Sequence, residues 1–143
     1  MKIINEFKLT LDSRSINESF ARVAVAAFVS QYDPTTAEIQ DIKTAVSEAV
    51  TNCIVHAYPD SIGKIYITVK MTDEGLVKIY IRDKGKGIPD IEKALEPLFT
   101  TGKEGERSGL GFTVMQSFCD KIKVRSKVCG GTTVALFKKL NLK

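Results

Sequence analysis

Hydrophobic residues recur along this chain with two different periods, and the switches between them mark out its elements. Near the amino terminus Ile3, Phe7, Leu9 and Leu11 alternate with Glu6, Lys8, Thr10 and Asp12. This is the period of a half-buried strand, with Asn5 interrupting its apolar side. Ser15, followed three residues on by Glu18, has the form of a capping box. It predicts a helix with an apolar stripe of Phe20, Val23, Ala24, Ala27 and Phe28. Asp33-Pro34 ends that helix. Thr35 and Glu38 repeat the capping-box spacing and open a longer one, with Ile39, Ile42, Val46, Ala49, Val50 and Cys53 on one face. Tyr58-Pro59 closes it, because proline pushes the preceding residue out of helical geometry.

The period then falls to two. Ile65, Ile67 and Val69 alternate with Tyr66, Thr68 and Lys70; after Asp73-Glu74-Gly75, Val77, Ile79 and Ile81 do the same, which predicts a hairpin. A glycine-rich loop follows, then a short helix over Ile91–Leu95, and a polar, glycine-bearing stretch at 100–109 that reads as a mobile lid. Phe112, Met115 and Phe118 mark another helix. Strands at 122–127 and 132–137, joined at Gly130-Gly131, complete the set. Strands and helices mix without regular β-α-β alternation. The expected fold is therefore an α/β (α+β) two-layer sandwich, with a mixed, largely antiparallel sheet and helices on one face.

Composition narrows the setting rather than the fold. A length of 143 residues suits a single domain spanning 1–143. No apolar stretch approaches the ~20 residues of a membrane span, and polar residues in Met1-Lys2-Ile3-Ile4-Asn5-Glu6 interrupt any signal-peptide core. Cys53, Cys119 and Cys129 are unevenly spaced and form no C-x-x-C pair. That excludes a disulfide framework and a cysteine zinc site, and points to a reducing, cytoplasmic setting. The net charge of +4 is spread along the chain. Its one basic run, Lys138-Lys139, reads as a solvated strand end, so neither a direct nucleic-acid partner nor a membrane is expected.

Four local features carry chemistry. In Glu48-Ala49-Val50-Thr51-Asn52 the two polar ends lie four apart, so both leave one face of a helix, opposite its apolar stripe. A carboxylate there can take a proton from an attacking hydroxyl, and an amide oxygen is a hard ligand of the kind Mg²⁺ accepts beside phosphate and water. Asp83-Lys84-Gly85-Lys86-Gly87 ends a strand: the aspartate can accept from an exocyclic amine, and the glycines let backbone lie close to a flat base. Ser108-Gly109-Leu110-Gly111-Phe112 enters a helix, where free N–H groups and the dipole favour a phosphate. Gly131-Thr132-Thr133 opens the last strand with a hydroxyl able to meet a base or a bridging water. Singly, these are an exposed helical face, a turn, a flexible loop with a cap, and a hairpin.

Their order and spacing resemble the ATP-binding domain shared by gyrase, heat-shock chaperone ATPases, histidine kinases and MutL. Neither the P-loop G-x-x-x-x-G-K-[ST] nor a protein-kinase H-R-D is present. So little chain follows the last strand that no transducing domain is expected. The sole histidine, His56, sits in the helix of the site, where packing or hydrogen bonding near the nucleotide is expected of it rather than phosphate acceptance. Both points suggest a stand-alone kinase acting on another protein.

Further segments narrow the resemblance. Asn17-Glu18-Ser19-Phe20-Ala21-Arg22-Val23, Val46-Ser47-Glu48-Ala49-Val50-Thr51-Asn52, Pro97-Leu98-Phe99-Thr100-Thr101 and Glu106-Arg107-Ser108-Gly109-Leu110-Gly111-Phe112 look like the anti-sigma F factors of endospore-forming bacteria. The similarity covers nearly the whole chain and departs at 102–105, around Cys53 and in the carboxyl tail. It implies a homodimer that holds the sporulation sigma factor F while bound to ATP, and that phosphorylates a serine of an anti-anti-sigma factor. It also implies roles for individual residues. Glu48 would be the general base, Asn52 the Mg²⁺ ligand, and Asp83 the reader of adenine, with Thr132 supporting the base. Gly85, Gly87, Thr100, Thr101, Ser108, Gly109, Leu110 and Gly111 would shape the nucleotide site. Arg107 would neutralise charge on the transferred phosphoryl group, and Arg22 would contact both partners. Lys103 stays open as a phosphate contact. So do three alternatives: an anti-sigma kinase for the general stress sigma factor, a nucleotide-gated sigma-binding module without useful kinase activity, and a switch that merely hydrolyses ATP.

Overall fold

A computed structural model of the chain describes residues 1–96 and 111–141. In chain order its elements are β1 (Ile3–Asp12), α1 (Ile16–Ser30), α2 (Thr36–Asn52), β2 (Lys64–Thr72), β3 (Leu76–Asp83), α3 (Ile91–Leu95), α4 (Phe112–Phe118), β4 (Lys121–Lys127) and β5 (Gly131–Lys139). The strands form one sheet in the order β1-β2-β3-β5-β4, antiparallel at every pairing. Helices cover one face, which gives the expected two-layer sandwich.

The strand periodicity decides which residues meet the helices. Ile65, Ile67, Val69 and Met71 of β2, Val77, Ile79 and Ile81 of β3, and Val134 and Leu136 of β5 are all buried. They pack with Ile42, Ala45, Val46, Ala49 and Val50 of α2 in one core. Each large apolar side chain so removed from water contributes about 1.5–3 kcal/mol. The capping box predicted for α2 is present in full: Glu38 N donates to Thr35 Oγ1 at 3.1 Å, and Thr35 N donates to Glu38 Oε1 at 2.8 Å.

Around α1 the structure corrects two expectations. Ser15 is already helical and makes no side-chain cap, because Glu18 is drawn elsewhere: its carboxylate accepts from Ser47 Oγ on α2 at 2.8 Å. The buried stripe is Ala21, Val25, Ala26 and Val29, whereas Phe20 and Val23 are each 54% exposed. The helix is apolar on nearly every side, so periodicity alone could not orient it. Ala21, small and fully buried, lets α1 lie close to α2, and that proximity fixes its rotation. Asn5, the flaw in the first strand, marks a β-bulge: the register with β2 shifts between Ile3 and Asn5, and Asn5 Nδ2 donates to Tyr32 Oη at 2.9 Å.

Candidate functional site

The second helix does not simply stop before Pro59. After Asn52 it widens into a π-helical turn over Cys53–Ala57, in which Tyr58 N donates to Cys53 O at 3.2 Å. Such single wide turns are frequent at functional sites. Here the turn brings Ala57 against the loop after β3, and Lys86 N donates to Ala57 O at 3.3 Å. Tyr58 Oη locks the same junction, accepting from Lys84 N at 2.7 Å and donating to Lys64 O at 2.8 Å.

Asp83 ends β3 facing the helices and is 5% exposed. Its Oδ1 accepts from Gly85 N at 2.9 Å and from Thr132 N at 3.2 Å, while Oδ2 accepts from Cys53 Sγ at 3.6 Å. Burial pushes the Asp83 carboxyl above its ordinary value, and the two backbone donors and the thiol offset part of that rise. Thr132 is also buried, and its hydroxyl shares a 2.8 Å hydrogen bond with Ser126 Oγ. Ser126 Oγ in turn accepts from Ile88 N at 2.7 Å. The loop after Asp83 is thus riveted to β4 and β5. Gly87 holds φ +78° there with no room for a Cβ, which would strike the Lys127 carbonyl.

These elements enclose a cleft of about 630 Å³, open to solvent and lined by Asn52, Cys53, His56, Asp83, Gly87, Ile88, Phe112 and Thr132 among others. Asn52 was expected on a polar face opposite the α2 stripe; it is buried at 9% exposure instead, in the cleft wall. Glu48, one turn earlier and half-buried, lies against the start of α4. Gly111 caps that helix at φ +65°, and a Cβ there would collide with the Glu48 carboxylate. Arg22 stands apart from the cleft but not from Glu48. Both line a polar cavity between α1 and α2 with Gln40, Lys43, Thr44 and Ser47. Arg22 Nε is shielded from solvent without a hydrogen bond, 3.7 Å from Glu18 Oε2. Thr100, Thr101, Lys103, Arg107, Ser108, Gly109 and Leu110, and the expected lid with them, lie outside the described residues.

Comparison with known proteins shows the family of the chain. Residues 11–138 match the family described as histidine kinase-like ATPase domain. The chain is 55% identical over 134 residues to the anti-sigma F factor of Geobacillus stearothermophilus, covering 94% of this chain and 92% of that one. It is also 55% identical over 138 residues to the anti-sigma F factor of Caldanaerobacter subterraneus subsp. tengcongensis, covering 96% of each. The chain belongs to the anti-sigma F factor family. Its fold is shared by part of a Mycobacterium tuberculosis structure that comprises RsbU and RsbW domains, with TM-score 0.71 and 20% identity over 95% of this chain and 32% of that one. The catalytic domain of histidine kinase ThkA superposes with TM-score 0.58 and 20% identity, covering 98% and 97%.

This anti-sigma F family member thus has an ATPase-type domain, and the cleft is built from residues within the matched span. Of the residues singled out from sequence, Asn52, Asp83, Gly87 and Thr132 line it together, with Gly85 tied to Asp83 and with Glu48 and Gly111 in contact at its margin. Sequence reading missed Cys53, Ser126, Lys86, Ile88 and Phe112. Cys53 follows Asn52 directly and could have been flagged by that adjacency. Ser126 gave no signal, since its part depends on where β4 lands beside β5.

Proposed function

We propose that this chain is an ATP-dependent anti-sigma factor that holds the sporulation sigma factor F, and a kinase that phosphorylates a serine of an anti-anti-sigma factor. What supports the reading most is the convergence of Asn52, Asp83, Gly87 and Thr132 on one cleft with Glu48 at its margin. Simple nucleotide binding requires no carboxylate where Glu48 lies.

In this reading Asp83 accepts a hydrogen bond from the exocyclic amine of adenine, and Thr132 steadies the base. Among the described residues no group of three or more His, Cys, Asp or Glu side chains could hold a metal. That fits Mg²⁺ carried by phosphate oxygens and water with the Asn52 amide oxygen as protein ligand, a set this ion favours. When bound, the ion neutralises developing charge on the phosphates. Glu48 takes the proton as the serine oxygen bonds to the γ-phosphorus and the bond to the departing ADP oxygen breaks. Gly111 opens the helix end on the phosphate side; by the family resemblance, Thr100, Thr101, Ser108, Gly109 and Leu110 shape the nucleotide site and Arg107 neutralises charge on the transferred group. Arg22, across the shared cavity from Glu48, contacts the protein partners. A homodimer is consistent with β1 as an edge strand and with the stripe of Ile16, Phe20 and Val23 left exposed on α1. Among the described residues no helix is long and apolar enough to cross a membrane, and a cytoplasmic setting accords with the proposed partners.

Incubation with γ-labelled ATP and the anti-anti-sigma factor tests the reading. Label is expected on one serine of that protein. Label released only as free phosphate would overturn the kinase assignment, and capture of the stress sigma factor in place of sigma F would overturn the partner.

A further inference from the structure

The sheet face turned away from the helices carries a charge pattern that the nucleotide cleft does not use. β4 presents Lys121, Lys123, Arg125 and Lys127 on this face, each exposed. Lys70 on β2, Lys78 and Arg82 on β3 and Lys139 on β5 extend the field inward. These four strands place no carboxylate on that face. Its acidic side chains are Glu6 and Asp12 of β1, ion-paired to Lys8 and Lys64. These eight cations, with no carboxylate opposite them among the described residues, exceed the chain's whole net charge of +4, so everything else sums to −4. The polarity is thus built by alternation across the sheet rather than by any run in sequence.

Aromatic rings lie among these cations. Tyr66, Tyr80 and Phe137 occupy diagonal positions on the adjacent strands β2, β3 and β5. The Tyr80 and Phe137 centroids are 6.3 Å apart with their planes at 83°, edge to face. Lys70 stands over Tyr80 at 5.5 Å, Arg82 over Tyr66 at 5.6 Å and Lys123 over Phe137 at 5.8 Å. A row of rings, each with a long flexible cation over it, can pair one stacked base with one phosphate at each step once the cation moves from the ring to the phosphate. That arrangement serves single strands on open sheets and needs no sequence readout. An acidic protein surface would use the cations but not the rings.

We propose that the open sheet face binds single-stranded nucleic acid, by stacking on Tyr66, Tyr80 and Phe137 and by phosphate contacts from the surrounding lysines and arginines. The test is fluorescence anisotropy with labelled 12-mers of oligo(dT) and oligo(U), each expected to bind because nothing in the row selects the sugar. Engagement of four phosphates gives an affinity loss of roughly 50-fold between 50 and 200 mM salt. The triple variant Lys70→Glu, Lys78→Glu, Lys123→Glu should weaken binding at least about tenfold and flatten that dependence, while Mg-ATP binding is retained. Tyr80→Leu and Phe137→Leu, made separately, should each cost about fivefold or more with the charges intact. The proposal is overturned if the oligonucleotides do not bind, if heparin or polyglutamate binds as tightly as they do, or if anionic vesicles bind where they fail. It is also overturned if both leucine variants, folded by circular dichroism, bind like the parent.

Discussion

Replacing Asp83 by asparagine separates what the cleft needs for folding from what it needs for nucleotide. Oδ1 already accepts two backbone N–H groups, from Gly85 and Thr132, and Oδ2 accepts only the weak Cys53 thiol. Asparagine will keep its oxygen toward the two backbone donors, since the reverse would set an NH₂ against both. Its NH₂ then replaces Oδ2, where the thiol can rotate and offer sulfur as a weak acceptor. The free protein should lose little, and removal of a buried carboxylate can even raise its melting temperature. Adenine has no such escape, because its amine would meet another donor. The expected cost is about 1–3 kcal/mol, a roughly 5- to 150-fold weaker Kd. The wild-type pH profile should agree. Burial raises the Asp83 pKa above 3.8, so ATP affinity should fall on acidification before an exposed carboxyl would titrate. With its folded pKa raised, Asp83 costs stability above that pKa, and the cost disappears as pH falls through it. On this pathway affinity and the Asp83 contribution to stability therefore change in opposite directions, and Asp83→Asn abolishes both dependences. Titration calorimetry paired with thermal melts provides the assay. Affinity within twofold of the parent, or a loss of affinity matched by a fall in melting temperature, would refute the reasoning.

Other sites give sharp expectations. Gly111→Ala forces a Cβ toward the Glu48 carboxylate at φ +65°, so it should cost about 1–2 kcal/mol and displace Glu48; an unchanged melting curve and phosphorylation rate would contradict the close contact. Thr35→Ala removes the acceptor for Glu38 N and should cost about 1 kcal/mol by denaturant titration while leaving nucleotide affinity unchanged. Alkylation by iodoacetamide, followed by mass spectrometry, should modify exposed Cys129 first. Cys119, whose thiol burial pushes to about 11, should follow, and Cys53, raised further by burial and by the Asp83 carboxylate, should react last.

How far the molecule can be read from its sequence depends on whether information is local. The stripe of α2 and the two central strands were legible because each alternates cleanly against polar neighbours. The stripe of α1 was not, because Phe20, Val23, Val25 and Phe28 satisfy several helical faces and only packing against α2 selects among them. The Ser15–Glu18 pair has the spacing of a cap, but Ser47, 29 residues further on, holds the glutamate. The cleft was legible as an ordered set of motifs, since the glycines and Asp83 are demanded by backbone geometry. Its support by Ser126 depends on strand register, which leaves no local trace, whereas Cys53 is marked only by its adjacency to Asn52 and reaches Asp83 from the π-helical turn. The cationic sheet face was hidden for the same reason. Its residues come from four strands, and only the register of β2, β3, β5 and β4 assembles them.

The central claim is that Glu48 acts in proton transfer, whereas capture of a sigma factor needs only the nucleotide-bound shape. Glu48→Gln keeps size and reach while removing the basic oxygen. Single-turnover phosphorylation of the anti-anti-sigma factor at saturating partner tests this directly. The variant should bind Mg-ATP and sigma factor like the parent, yet transfer phosphate about 10²–10⁴-fold more slowly. A rate within about threefold of the parent, far inside the loss expected for a missing base, would make Glu48 a structural residue and contradict the account.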